Sequence, residues 1–287
     1  MNIISISSFM ELFETIKELN RDNKYWFRGH ANVDYILNPS AYRNIYTIAD
    51  NFGRPVEPKP VREFNNRGDK IFIPDKLYMH SFFEKLDENN IKYDKSMNLV
   101  DKYCLAQHYG VWTPMLDWST DFIVALFFAC DGRKSKQDCA VFLLDPIKWN
   151  ESMLGEGKIL DSEEVIKVSD ILPLAMKGKK DDKRMCRQSG NFVVHGTMVW
   201  PLEHYYVEDD VLIKIVIPSK IAEQLSLYLK AFGVTRDSIY VCDDEKDKIS
   251  NMLKEINHKT LNDILDELRE KWINTPDDEK GVSRTYF

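Results

Sequence analysis

The sequence predicts an α+β fold, with a mixed or antiparallel central sheet flanked by helices. Apolar residues recur at helical spacing in several stretches, from Phe9 to Leu19 near the start to Leu261 to Trp272 near the end. Short runs rich in aromatic and β-branched residues stand between them, such as Lys24 to Gly29 and Cys139 to Leu144. The two kinds of segment do not alternate regularly, which argues against a doubly wound parallel sheet. With 287 residues, 44% of them hydrophobic, the chain can bury a large core. A net charge of -7 excludes a generally basic nucleic-acid coat and leaves room for a local phosphate-binding patch.

Taken in order, Ser8 and Glu11 have capping-box spacing ahead of a helix that runs to about Asn20. Lys24 to Gly29 reads as a strand that brings Arg28 to its exit. Prolines 55, 58, 60 and 74, with glycines 53 and 68, predict an irregular insertion over residues 51–73. Helices are expected near 75–88 and 96–109, the second capped by Ser96 and stopped by Gly110. Val111 to Trp118 is a compact apolar stretch, and Ser119, Thr120 or Asp121 can cap a buried helix from Phe122 to Cys130. A buried strand over Cys139 to Leu144 closes at Asp145 and Pro146.

Residues 150–185 read as polar, with the charged run Lys177 to Arg184 as a solvated loop. Strands are expected at Asn191 to Val194 and Val211 to Ile217, followed by a helix from Pro218 to Phe232 that ends at Gly233. Ser238 to Cys242 resembles a last strand, and two helical stripes follow, the first from Ile249 to Ile256. The five cysteines are scattered without metal-type spacing and are read as reduced thiols. The N-terminus lacks a basic leader, and the run from Phe122 to Cys130 is too short to span a bilayer, so a cytoplasmic protein without membrane partners is expected.

Three clusters could carry chemistry. In the first, Phe27, Arg28, Gly29 and His30 place an arginine fork beside a glycine, suited to a phosphate or carboxylate, or to an internal carboxylate that holds a turn. The second sets Gln107, His108 and Tyr109 before Asp117, Trp118 and Ser119, polar groups among large apolar ones that need a ligand or internal partners. In the third, Arg184, Arg187, Gln188 and His195 lie near Gly190 and Gly196 and could meet a polyanion. Glu203, beside His204, is the nearest carboxylate for a base, against a plain surface role. No metal motif of the H-E-x-x-H kind is present, and no metal is expected.

Together these motifs resemble the FRG domain family. The residues that carry the likeness are Phe27-Arg28-Gly29, then Leu37 to Arg43, then Gln107, His108, Gly110 and Thr113, then Leu116-Asp117-Trp118 running into Val124 to Ala129. Arg187 to Gly196 extends the pattern. Ser119 stands where threonine is common, and Val111-Trp112 where leucine-proline often occurs. The likeness spans about residues 20–255 of a single domain over 1–287, with a C-terminal helix and tail at 257–287. It implies a bacterial or phage-related intracellular protein of a defence or toxin system, with an antitoxin or defence-system partner.

A looser resemblance, by order and role, is to the ADP-ribosyltransferase fold. It implies NAD as substrate and a protein or nucleic acid as acceptor. Arg28, Ser119, Gln188 and Glu203 would then be catalytic, with Phe27, Gly29, His30, Arg43, Gln107, His108, Tyr109, Asp117, Trp118 and His195 around the dinucleotide. The alternative is a non-catalytic module that binds a nucleotide or polyanion.

Overall fold

The computed structural model describes residues 1–43, 45–61, 70–168, 171–178, 190–240, 244–278 and 280. Along the chain, β1 (Asn2–Ser5) precedes α1 (Phe9–Leu19) and β2 (Trp26–His30). Then come β3 (Tyr46–Ala49), β4 (Pro55–Pro60), β5 (Lys70–Phe72), α2 (Asp75–Glu88) and α3 (Leu99–His108). The chain continues through β6 (Met115–Ser119), α4 (Phe122–Cys130), β7 (Cys139–Leu144), α5 (Pro146–Leu154), α6 (Ser162–Val168), β8 (Leu174–Lys177), β9 (Gly190–Val194) and β10 (Leu212–Ile217). It ends in α7 (Ser219–Ala231), the one-turn α8 (Arg236–Ile239) and the long α9 (Asp244–Ile273). No helix among the described residues is long and apolar enough to cross a membrane.

Two units divide these elements: residues 1–37 with 115–242, and residues 38–114 with 243–287. The first is built on a seven-stranded mixed sheet in the order β1-β10-β7-β2-β6-β9-β8, with β1 parallel to β10 and the other neighbours antiparallel. Side chains alternate between its faces. Phe27, Val141, Leu143, Ile213 and Ile215 point to one face and pack with Leu12 of α1, Ala125 and Ala129 of α4, and Leu225 of α7. Trp26, Leu116, Trp118, Phe142, Leu144 and Val193 point to the other, around Trp149 of α5, Leu37 and Leu202.

Local signals set the helix starts. Ser8 caps α1 by accepting from Glu11 N, while the Glu11 carboxylate reaches back to Ser7 N and Oγ at 2.7 and 2.6 Å. Asp121 caps α4 through Ile123 N, and Asp145 caps α5 through Ile147 N and Lys148 N, with Pro146 in the first turn. Asn98 caps α3, whereas Ser96, the expected cap, bonds instead to Asp94. Gly110, at φ 84°, ends that helix in the left-handed region.

The second unit holds α2, α3, α9 and a three-stranded antiparallel sheet in the order β4-β3-β5. Residues 51–73, expected to be irregular, thus contain strands on both sides of 62–69, which lie outside the described residues. β4 carries prolines 55, 58 and 60 at an edge, where a missing N–H costs no ladder bond on the outer side. Ser238 and Ile239 are in α8, not a strand, because Thr235 and Ser238 form a reciprocal cap; residues 241–242 are not described. The polar stretch 150–185 contains the end of α5, then α6 and β8.

Candidate functional site

Arg28 sits in β2, in the middle of the large sheet, opposite Phe142 of β7. Lys214 of β10 is the next residue in that row, on the same face, with its ammonium 5.4 Å from the centre of the Phe142 ring. Strands are spaced about 4.8 Å apart, so the two cations start about 10 Å apart on either side of one buried phenyl ring. Two of the groups that orient the Arg28 guanidinium are neutral. Its Nε donates to His30 Nε2 at 3.0 Å and its Nη1 to the Asp117 carbonyl at 2.6 Å. His30 Nδ1 lies 3.2 Å from the Tyr35 carbonyl, which can only accept. The neutral ring with its proton on Nδ1 satisfies both contacts.

The same face holds the loop that follows β2. Val33 N donates to Asp138 O at 3.0 Å and Val33 O accepts from Lys214 Nζ at 2.6 Å. Tyr35 O accepts a hydrogen bond from His30 Nδ1. Leu37 N donates to both Glu203 carboxylate oxygens, at 2.8 and 3.0 Å, and Leu37 O accepts from Leu202 N at 3.2 Å. Glu203 is half-buried, and burial raises its carboxyl above the ordinary range, opposed by backbone hydrogen bonds and by Lys214. It therefore has a defined structural partner and is not a plain surface residue. Lys214, absent from the sequence-derived site, was detectable as the single charge within the apolar run 211–217.

Gly29 faces the opposite way, onto α4. A β-carbon there would lie 1.9 Å from Ala125 O and 2.5 Å from Ala129 N, so the space a ligand could have used is filled by helix backbone. Phe27, 1% exposed, is core, edge-on to Phe122. Ser119 pairs with Phe27 across β2 and β6, which puts it on the α4 face, and its Oγ accepts from Asp121 N at 3.0 Å. Asp117, two residues earlier on β6, shares that face and is exposed, while its carbonyl meets Arg28. Trp118 alternates to the Arg28 face, where it is buried, and its Nε1–H has no hydrogen-bond partner among the described residues. His195, at the end of β9, is buried and held by that burial down to about 3, hence neutral at pH 7.

The remaining motif residues belong to the second unit and knit to one another there. Thr113 Oγ1 donates to Gln107 Oε1, Thr113 N to Ser40 Oγ at 3.1 Å, and Ala41 N to Thr113 O at 3.3 Å. Arg43 Nε donates to Asn38 O at 3.0 Å, and Asn38 Nδ2 to Tyr42 O at 3.2 Å. Tyr109 packs on Phe82 and on His108. Gln188, with Arg184 and Arg187, lies outside the described residues. No group of three metal-binding side chains gathers among the described residues.

Residues 23–138 match the FRG domain family. The matched span holds the Phe27-Arg28-Gly29 signature and ends just before β7; the 187–196 segment lies beyond it. No curated protein and no solved structure matches the chain.

Proposed function

We propose that this chain, which carries an FRG domain at residues 23–138, is an NAD-consuming ADP-ribosyltransferase. Its setting would be the cytoplasm, as a toxin or defence effector acting on a protein or nucleic acid. The observation that supports this reading is the orientation of Arg28. An imidazole and a carbonyl help to set the plane of its guanidinium on a sheet face that also carries Lys214. A preset planar cation suits a diphosphate, because the fork matches two phosphate oxygens and little side-chain freedom is lost on binding.

Cleavage of the nicotinamide–ribose bond builds positive charge on the sugar, which a fixed carboxylate in a water-poor setting stabilises. Glu203 is a carboxylate packed beside the loop on the Arg28 face and feels Lys214. In this reading Arg28 and Lys214 hold the diphosphate, His30 fixes Arg28, and Glu203 faces the ribosyl cation. Ser119 supports the start of α4, away from the reacting atoms.

A second reading, a binding module for nucleotides or polyanions, is favoured by a specific observation: both Glu203 oxygens are engaged by Leu37 N. Incubation with labelled NAD, cell protein and RNA separates the two. For the transferase, wild type releases nicotinamide and labels an acceptor, and Arg28→Ala lowers turnover by about a hundredfold or more. A variant that keeps turnover removes Arg28 from the site. Absence of NAD consumption, with a nucleotide-dependent rise in melting temperature, assigns the binding module.

A further inference from the structure

Two thiols outside the Arg28 face meet where α4 ends and β7 begins. Ala129 of α4 lies against Gly29, whose register partner in β7 is Val141. Cys139, two residues before Val141, points to the same α4-covered face, and Cys130 follows Ala129. This crossing sets both cysteines in one packed cluster, where the Cys130 Sγ–H donates to the Ala222 carbonyl of α7 at 3.7 Å. Both cysteines are reduced; Cys139 is fully buried and Cys130 partly open. The connecting turn is held by Arg133, with Nη1 on Gln137 O at 2.8 Å and Nη2 3.6 Å from Glu223 Oε1.

We propose that Cys130 and Cys139 are a redox pair that low-molecular-weight disulfides oxidise to an intramolecular disulfide, stapling α4 to β7. The pair is asymmetric. The neighbouring Cys139 thiol, with Arg133 assisting against burial, holds the Cys130 thiol below its ordinary range, while Cys139 is raised by Cys130 and by burial. Cys130 thiolate attacks one sulfur of the small disulfide, forming a mixed disulfide and expelling one thiolate. Cys139 then loses its proton and attacks the Cys130 sulfur, expelling the second. Two electrons and two protons pass from the pair to the small disulfide, which leaves as two thiols.

Glutathione disulfide and the 287-residue protein test this. After oxidation, alkylation and digestion, the expected product is one cross-linked species joining the Cys130 and Cys139 peptides, lost again on reduction. Cys139→Ser, which removes the resolving thiol, is expected to accumulate glutathione at Cys130, and Cys130→Ser to take none at Cys139. Full alkylation of both cysteines in oxidised wild type, a lasting glutathione adduct in wild type, or pairing of Cys130 with another cysteine overturns the proposal. If a serine variant does not fold, the wild-type peptide map alone decides.

Discussion

At Gly29 the backbone of α4 leaves no room for a methyl group, since the nearest atoms to a new β-carbon are a carbonyl oxygen and an amide nitrogen that cannot rotate away. Gly29→Ala is expected to cost about 3 kcal/mol or more in urea unfolding, at the upper end of overpacking effects. A change under about 1 kcal/mol would show that α4 can shift. The glycine of the signature is thus explained by packing, and the arginine beside it by its place on the opposite face.

Glu203 separates a structural from a chemical role by its two oxygens. Glu203→Gln keeps an acceptor for Leu37 N, so stability should stay within about 1 kcal/mol of wild type, whereas Glu203→Ala leaves that N–H unpaired and should cost about 1–3 kcal/mol. If Glu203 stabilises the sugar cation, Gln loses NAD turnover while it keeps the fold. Equal turnover in Gln and wild type would assign Glu203 to the loop alone.

His195 makes a pH prediction with a definite sign. Its folded value of about 3 lies below the ordinary 6.5, so between these pH values the unfolded chain binds a proton that the folded chain does not. Stability therefore rises with pH across that window and is lost as pH falls, by up to about 1.4 kcal/mol per pH unit from this group. Glu203, raised by burial, contributes in the opposite direction: its stabilisation is lost as pH rises through its folded value. Urea titrations at pH 7 and pH 5 should show a shallower pH dependence for His195→Gln than for wild type. Matching slopes would contradict the assignment.

Among the elements, the starts of α1 and α4 were readable because a cap is a local event. Ser8 and Asp121 each accept from an amide two or three residues on, whereas Asp145, read as the close of a strand, also caps α5. Strands at the sheet margins were harder to read. β1 exposes most of its residues, so it has no apolar alternation to detect. β8 is held by a side chain: Asn150 accepts from Ala175 N at 2.8 Å and donates to Ala175 O at 2.9 Å, acting as a strand partner from a helix. β4 contains three prolines that local rules assign to a loop, and its edge position is what tolerates them.

β1 also sets a test at this scale. It covers the outer side of β10 in a parallel pair, and Ile6 just after it is buried at 2%. Removal of residues 1–7 is expected to destabilise the protein by at least about 2 kcal/mol, from the apolar burial of Ile6 alone, and to promote association through the opened edge of β10. Unchanged unfolding and a monodisperse truncated protein would contradict this.

Over the whole molecule, the chain leaves the first unit after Leu37, returns at Met115 and leaves again after Cys242. The pairing of β2 with β6, and the parallel pairing of β1 with β10, join segments far apart in sequence. The α+β class, the caps of α1 and α4, the central strands 26–30 and 139–144, and the family motifs could be read from the sequence, because periodicity, capping and motif spacing act over a few residues. Which face each residue occupies was decided by register, which depends on partners from distant parts of the chain. That is why Arg28 joins His30 and Lys214 on one face, while Ser119 and Gly29 turn to α4. It is also why Gln107, Arg43 and Thr113, polar residues that suggested a ligand, serve as hydrogen-bond partners within their own unit. Local pattern names the residues able to do chemistry, and only tertiary pairing determines which of them share a surface, because side-chain direction along a strand is set by its neighbours.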